Sequence, residues 1–228
     1  EVDVKVEIQD INQVLGKIQL ANAAGSGWPD VIFADPSDLA LLVSPQIDYG
    51  LEWTPEVVGQ DFLDAFGEGN IWCEIDGKTW CVKNDLAQSV LWYDTVVFEE
   101  LGLTVPTTME EWAAEAMKLE GTGYVAGALG DEGFYANFLW PSGCPTALPV
   151  SDSEVRINGQ DPACTRVADL IQPLVDAGVL DRRGAFDAGF LADVAQQGKV
   201  AMTFGPSWFG DFVIRPEASW AVPEGRIA

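Results

Sequence analysis

Residues 80–112 read WCVKNDLAQSVLWYDTVVFEELGLTVPTTMEEW. Ser89 to Tyr93 is an apolar run with the length of a buried strand. Asp94 or Thr95 follows as a helix cap, and Val96, Val97, Phe98 and Leu101 fall on one face of the helix it opens. Gly102 stops that helix, and Pro106 forbids its return because proline lacks the amide hydrogen and clashes with the preceding turn. Thr108-Met-Glu-Glu111 starts another helix as a capping box. Strand, helix, break and capped helix together make an α/β crossover.

On the amino side, Val2, Val4, Val6 and Ile8 alternate with polar residues, which predicts a half-buried strand. The sequence is therefore expected to begin inside a fold, as a processed or trimmed form or as the ordered part alone. Ile11, Val14, Leu15 and Ile18 have helical spacing, and Gly25-Ser-Gly27 ends that helix. Val31 to Ala34 reads as a short buried strand broken by Asp35-Pro-Ser-Asp38, with Asp38 capping the apolar turn Leu39 to Val43. This order predicts a parallel sheet, and ligands of such sheets sit beyond the carboxyl ends of the strands. Asp35 and Ser37 stand at one such end, where a capping role competes with ligand contact.

Ile71 to Val82 reads as a hairpin around Asp76-Gly77. A two-residue turn there would set Cys73 opposite Trp80, whereas a turn centred on Gly77 would set Cys73 opposite Cys81. The second register is the expectation, with a Cys73–Cys81 disulfide across it. So short a loop implies about 2–3 kcal/mol of stabilisation in the chain-entropy picture.

On the carboxyl side, a helix over Met109 to Leu119 precedes a strand over Tyr124 to Leu129 and an aromatic helix over Phe134 to Trp140. Ser153 to Asn158 reads as an edge strand. Asp161-Pro162 is a strong helix start whose buried face is Val167, Leu170, Ile171, Leu174 and Val175, with Pro173 predicting a kink or an early end. Cys164, in its first turn, is within reach of Cys144. Four cysteines allow three pairings; Cys73–Cys81 with Cys144–Cys164 is the one adopted. Phe186 to Gln197 is a further helix, Gly198 to Phe204 the strand after it, and Gly205-Pro-Ser-Trp208 opens the next helix.

Composition narrows the function. The net charge of −24 repels nucleic acid and anionic membrane surfaces, and leaves a solvated acidic surface or a cationic ligand as readings. The absence of histidine removes Ser-His-Asp and Cys-His catalysis and the common zinc sites. No cysteines form a C-x-x-C pair, so an even count in an acidic, tryptophan-rich chain points to disulfides and an oxidising compartment. No apolar run reaches membrane-spanning length.

Three stretches carry a family likeness. GKTWCVKNDLAQSVLWYDTVVFEELGLTVPTTMEEW follows, without gaps, the pattern GKxYALPWDxxxxxLFYNKDLFEEAGLxxPPTTWDEL. GSGWPDVIFAD is similar to SGxxPDVV, and QQGKVAMTFGPSW to FxxGKAAMxxxGxW. The chain thus resembles the extracellular solute-binding proteins of ABC importers, of the maltose-binding-like kind. The resemblance implies a type II periplasmic-binding fold of two α/β lobes with a sugar cleft between them, closing on ligand. It implies a partial first lobe over residues 1–90, a second over 91–222, and a return crossing that starts at 223–228. More chain is expected before Glu1 and after Ala228. It also implies a monomer that serves a membrane permease, exported to the periplasm or the outer face of the membrane, and held there by a lipid anchor outside this sequence. No cofactor or metal is expected.

Sugars are held by planar hydrogen-bonding groups and by aromatic rings. Under the resemblance the candidates are Asp35 and Ser37 in the first lobe, Asn84 and Asp85 in the crossing segment, and Tyr135, Trp140, Ser207 and Trp208 in the second. Asp85 matches the family pattern; Asn84 and Lys83 depart from it, which bears on the particular sugar. Trp53, Trp80, Trp92 and Trp112 fit apolar faces and read as packing. Two other classes fit parts of the sequence. Polyamine capture suits the charge. Glycoside hydrolysis needs only two carboxylates, such as Asp35 with Asp85 or Asp131 with Glu132, but no spacing singles out a pair.

Overall fold

The structure, a computed structural model, describes residues 3–9, 11–34, 38–45, 47–83, 87–130, 133–151 and 154–228. They fall into two compact units, Glu1–Leu86 and Ala87–Ala228.

The first unit holds α1 (Ile11–Ala24), three short helices, α2 (Leu39–Leu42), α3 (Pro55–Val58) and α4 (Gln60–Asp64), and a 3₁₀ segment (Gly67–Cys73) leading into a hairpin of β1 (Glu74–Ile75) and β2 (Lys78–Thr79). Ile18, Leu42 and Ile47 form its small buried cluster. Two sequence expectations are corrected here. Residues 3–9 and 31–34 form no strand, and Ile8, Val31 and Phe33 are 95%, 83% and 84% exposed. A strand exists only when a neighbour takes up its backbone groups, and among the described residues neither segment has one. Asp38 stands at the N-cap of α2, but its side chain makes no capping hydrogen bond.

The hairpin divides the cysteine expectation in two. Glu74 pairs with Thr79 and Ile75 with Lys78, so Asp76 and Gly77 form a two-residue turn, both at positive φ. Trp80 N donates to Cys73 O, which is the opposite register to the one expected from sequence. The Cys73–Cys81 disulfide nevertheless forms, across a Cα–Cα distance of 5.0 Å. Cys73 closes the 3₁₀ segment and Cys81 lies past the end of β2, so strict face alternation does not govern either of them.

The second unit is built on β3 (Ser89–Tyr93), antiparallel to β6 (Met202–Pro206), with Ser89 opposite Pro206 and Tyr93 opposite Met202. Backbone hydrogen bonds extend this pair. Residues 124–130 run parallel beside 199–201, bridged at Val125 and Val200, and 179–183 run parallel beside 124–130, bridged at Ala128 and Asp181. On the other edge, Ala228 exchanges both backbone bonds with Tyr93. Tyr124–Leu129 is thus strand-like in its bonding although no longer ladder forms.

Helices cover this sheet. Asp94 resolves the open cap assignment, accepting from Val96 N and Val97 N at the start of α5 (Thr95–Leu101), and Gly102 ends that helix in the left-handed region. Of the face expected for α5, Val97 and Phe98 are buried while Val96 is half exposed. Thr108 caps α6 (Met109–Met117) by accepting from Glu111 N, and the Glu111 carboxylate reaches back mainly to Thr107 N and Oγ1. A helical stretch follows, a π-turn over Tyr135–Leu139 running into α7 (Trp140–Ser142), then the edge pair β4 (Leu148–Ser151) and β5 (Glu154–Arg156).

Asp161 caps α8 (Pro162–Asp176), which passes through Pro173 without ending. Cys144 and Cys164 are joined, tying the end of the aromatic helix to the first turn of α8. The main core gathers Phe98, Trp112, Phe138, Ile171, Leu174 and Met202. A second cluster joins Phe190, Phe209, Val213, Ile214 and Trp220 around α9 (Ala188–Phe190) and the π-turns Leu191–Ala195 and Gly210–Ile214.

Candidate functional site

Segments 124–130, 179–183 and 202–206 run in one direction, so their carboxyl ends share one edge of the sheet. Brought out at that edge are the helix that carries Tyr135, the loop that carries Phe186, and the turn Ser207-Trp208. All three rings are accessible: Tyr135 is 50%, Phe186 59% and Trp208 39% exposed. Phe209 is buried, and it holds two of them in place. Its ring meets Phe186 edge-on at 6.2 Å and Trp208 at 6.0 Å. Trp208 also meets the exposed ring of Phe212 one turn on.

Polar groups join the rings. Ser207 is exposed beside Trp208. Ser89, opposite Pro206, donates through Oγ to Asn137 Oδ1 on the helix of Tyr135. Trp140, 64% exposed and outside the core, lies in the last turn of that helix, about 7.5 Å of helix rise beyond Tyr135. Trp112 is buried and Trp53, Trp80 and Trp92 are half-buried, in keeping with packing roles. Asp35, Ser37, Asn84 and Asp85 lie outside the described residues, as do Asp131 and Glu132.

Arg183 clamps Asp181 through Nε and Nη2 at 2.9 and 2.7 Å and reaches Asp193 through Nη1 at 3.0 Å. These bonds hold the Asp181 carboxyl below its ordinary value, against the opposing effect of burial. Gly130 lies so close to the neighbouring segment that a Cβ there would meet Gly184 N at 2.4 Å. A cavity of about 230 Å³, lined by Asp94, Gln196, Trp220 and Arg226, opens at the opposite end of the sheet. It is therefore separate from the ring-bearing edge.

Phe186 and Asn137 were not singled out from the sequence. Phe186 read as the first residue of a helix, and only the parallel bridge of Asp181 to Ala128 shows that its loop shares an edge with Trp208. Asn137 read as one polar position in an aromatic helix.

Residues 1–223 match the family of bacterial extracellular solute-binding proteins. The chain belongs to that family. The solved structures similar to this solute-binding protein share its mixed α/β fold, that of two-lobed binding proteins. The sugar-binding protein MalE of Xanthomonas citri matches with a TM-score of 0.72 at 19% identity, over 99% of this chain and 57% of its own. The GacH receptor of Streptomyces glaucescens, solved with and without acarbose, matches with 0.71 at 21%, over 99% and 57%. The galacto-N-biose/lacto-N-biose I-binding protein of a Bifidobacterium longum ABC transporter matches with 0.68 at 17%, over 92% and 51%. The present chain thus spans little more than half the length of these structures. No curated protein sequence matches it. No helix among the described residues is long and apolar enough to cross a membrane.

Proposed function

We propose that this solute-binding protein captures a small carbohydrate, a di- or oligosaccharide, without altering it, and passes it to the membrane permease of an ABC importer. The observation that carries this reading is the set of three accessible rings, Tyr135, Phe186 and Trp208, at the carboxyl edge of one sheet. Sugar rings present C–H faces that stack on aromatics and hydroxyls that need fixed polar partners, and both are supplied there. The ligands of the similar structures, acarbose and lacto-N-biose among them, favour the same class.

Ser207 and Trp208 act from the turn after β6, and Tyr135 and Trp140 from the helix after segment 124–130. Asp35, Ser37, Asn84 and Asp85 join them through the family resemblance alone. The lobe boundaries, 1–90, 91–222 and 223–228, belong to the same reading. So do a monomeric state and export to the periplasm or the outer face of the membrane, with a lipid anchor. Family membership favours binding over catalysis.

Thermal shift against a panel of neutral oligosaccharides tests the proposal, since ligand that binds only the native state raises the melting temperature by mass action. Stabilisation by a sugar that is recovered uncleaved is the expected result. Stabilisation by spermidine or putrescine alone would instead favour the polyamine reading, to which the charge of −24 lends its own support.

A further inference from the structure

We propose that Asn137 reads a ligand oxygen at the ring-bearing edge, and that Ser89 is the positioning residue that aims it. This rests on the carbohydrate reading above and deepens it. Asn137 is half-buried on the helix that carries Tyr135. Its Oδ1 is engaged by the Ser89 hydroxyl. That bond spans two separate elements, because Ser89 begins β3 and pairs with Pro206, the residue before Ser207-Trp208. The helix of Tyr135 is thereby tied to the strand pair that leads into Ser207-Trp208.

The amide has a free side. An asparagine carboxamide offers two N–H donors besides its oxygen, and Asn137 Nδ2 donates to no described residue. Its neighbour is Gly133, where an added Cβ would come 3.9 Å from Nδ2 and 3.5 Å from Ala128 O. A half-buried donor pair with its acceptor end tied down has lost most of its freedom to rotate, so a hydroxyl or ring oxygen that reaches it meets a preset partner. Preset donors of this kind confer discrimination, because a ligand lacking the matching acceptor leaves them desolvated and unpaired.

The test is calorimetric titration of the full chain and four variants with maltose, raffinose and β-1,6-galactobiose. Melting temperatures are taken in parallel. Asn137→Ala should weaken the sugar the parent binds about tenfold, the equivalent of one charge-neutral hydrogen bond. Asn137→Asp keeps the shape but replaces donors by acceptors, and should weaken it at least as much. Ser89→Ala should cost about threefold, and Ser89→Thr, which keeps the hydroxyl, should restore binding; a purely structural serine would show no such rescue in affinity at constant melting temperature. Parent binding with Asn137→Ala and Asn137→Asp both unchanged overturns the assignment and leaves the carbohydrate reading standing. A parent that binds no sugar overturns both.

Discussion

Asp94 Oδ2 accepts from Arg226 Nε at 2.6 Å, while Oδ1 of the same carboxylate caps α5 through Val96 N and Val97 N. Thr95 N and Oγ1 both donate to Arg226 O, so side chain and backbone clasp the two segments together. Asp94 is only 3% exposed, and a carboxylate so buried is tolerated because Arg226 Nε, Val96 N and Val97 N all donate to it. Removing its cation leaves the charge with backbone donors alone. Breaking a buried pair costs about 3–5 kcal/mol, and the 31% exposure of Arg226 lowers the expectation for Arg226→Ala to about 2 kcal/mol. Asp94→Asn should cost less, since the amide oxygen still caps α5. Urea unfolding of the two variants checks this; equal midpoints for parent and Arg226→Ala would show that the clasp contributes nothing.

Phe186 and Trp208 should separate from Phe209 when all three are truncated. The first two are accessible, and their loss should weaken sugar binding by more than about 1 kcal/mol, as aromatic anchors do, with little change in melting temperature. Phe209 is 5% exposed between Trp208, Phe186 and Trp220, so Phe209→Ala should cost about 3–5 kcal/mol of stability. Calorimetric titration and thermal melts, run together, distinguish the cases. Unchanged affinity in both Phe186→Ala and Trp208→Ala would remove the aromatic basis of the site.

What was legible in the sequence follows a physical divide. Elements with local punctuation came out as read: Asp161-Pro162 opens α8, Gly102 closes α5, and Thr108 caps α6. Those signals act within a turn or two of backbone. The strand assignments at 3–9 and 31–34 failed because a strand needs partners far away in sequence, and alternation records only which side would be buried if they were present. The cysteine pairing was right and its register wrong, since a disulfide needs only two close Cα atoms and not a particular ladder. Likewise Trp208 was legible through its motif, whereas Phe186 and Asn137 became visible only when parallel bridging and the Ser89 contact set them at the same edge.

Gly130 should tolerate no side chain. The atoms that a Cβ there would meet are all backbone, Gly184 N at 2.4 Å and Arg183 C at 2.7 Å, and backbone in a bridged segment cannot move aside alone. Gly130→Ala should therefore lower stability by about 1–3 kcal/mol, the usual range for overpacking. Gly133→Ala, with its nearest contact at 3.5 Å, is the matched control and should be nearly neutral. Equal melting temperatures for the two variants would mean that segments 124–130 and 179–183 are not packed this closely.

Acid should erase the difference between the parent and Asp181→Asn. Arg183 holds the Asp181 carboxyl below its ordinary value of 3.8. A depressed carboxylate contributes stability that is fully present above its unfolded value and disappears as pH falls through its folded one. At pH 7 the variant should be less stable by about 1 kcal/mol, the scale of a partly exposed, bidentate pair. The gap should start to close below about pH 4. Comparing the two proteins at each pH cancels the protonation of the other carboxylates. A gap that persists unchanged well below that range would assign the loss to packing.

Salt should stabilise this protein throughout the dilute range. Acidic residues number 36 against 12 basic ones, and the basic groups that do find carboxylates are drawn to few of them: Lys5 and Lys17 share Glu7, and Arg183 spans Asp181 and Asp193. Glu99 and Glu100 near the end of α5 and Glu110 in the first turn of α6 are among the exposed carboxylates. Self-repulsion of this kind penalises the compact state more than the expanded one. Raising ionic strength from 0.01 M to 1 M shortens the Debye length from about 30 Å to about 3 Å, which screens all but near neighbours. The melting temperature should rise by several degrees in sodium chloride over that span, about 1 kcal/mol or more for a chain of this size. The triple variant Glu99→Gln, Glu100→Gln, Glu110→Gln should start higher and climb less. Chloride is the salt to use, because sulfate would stabilise through surface exclusion whatever the charge. A melting temperature flat in sodium chloride, or equal slopes for parent and variant, would show that the acidic surface is already accommodated without screening.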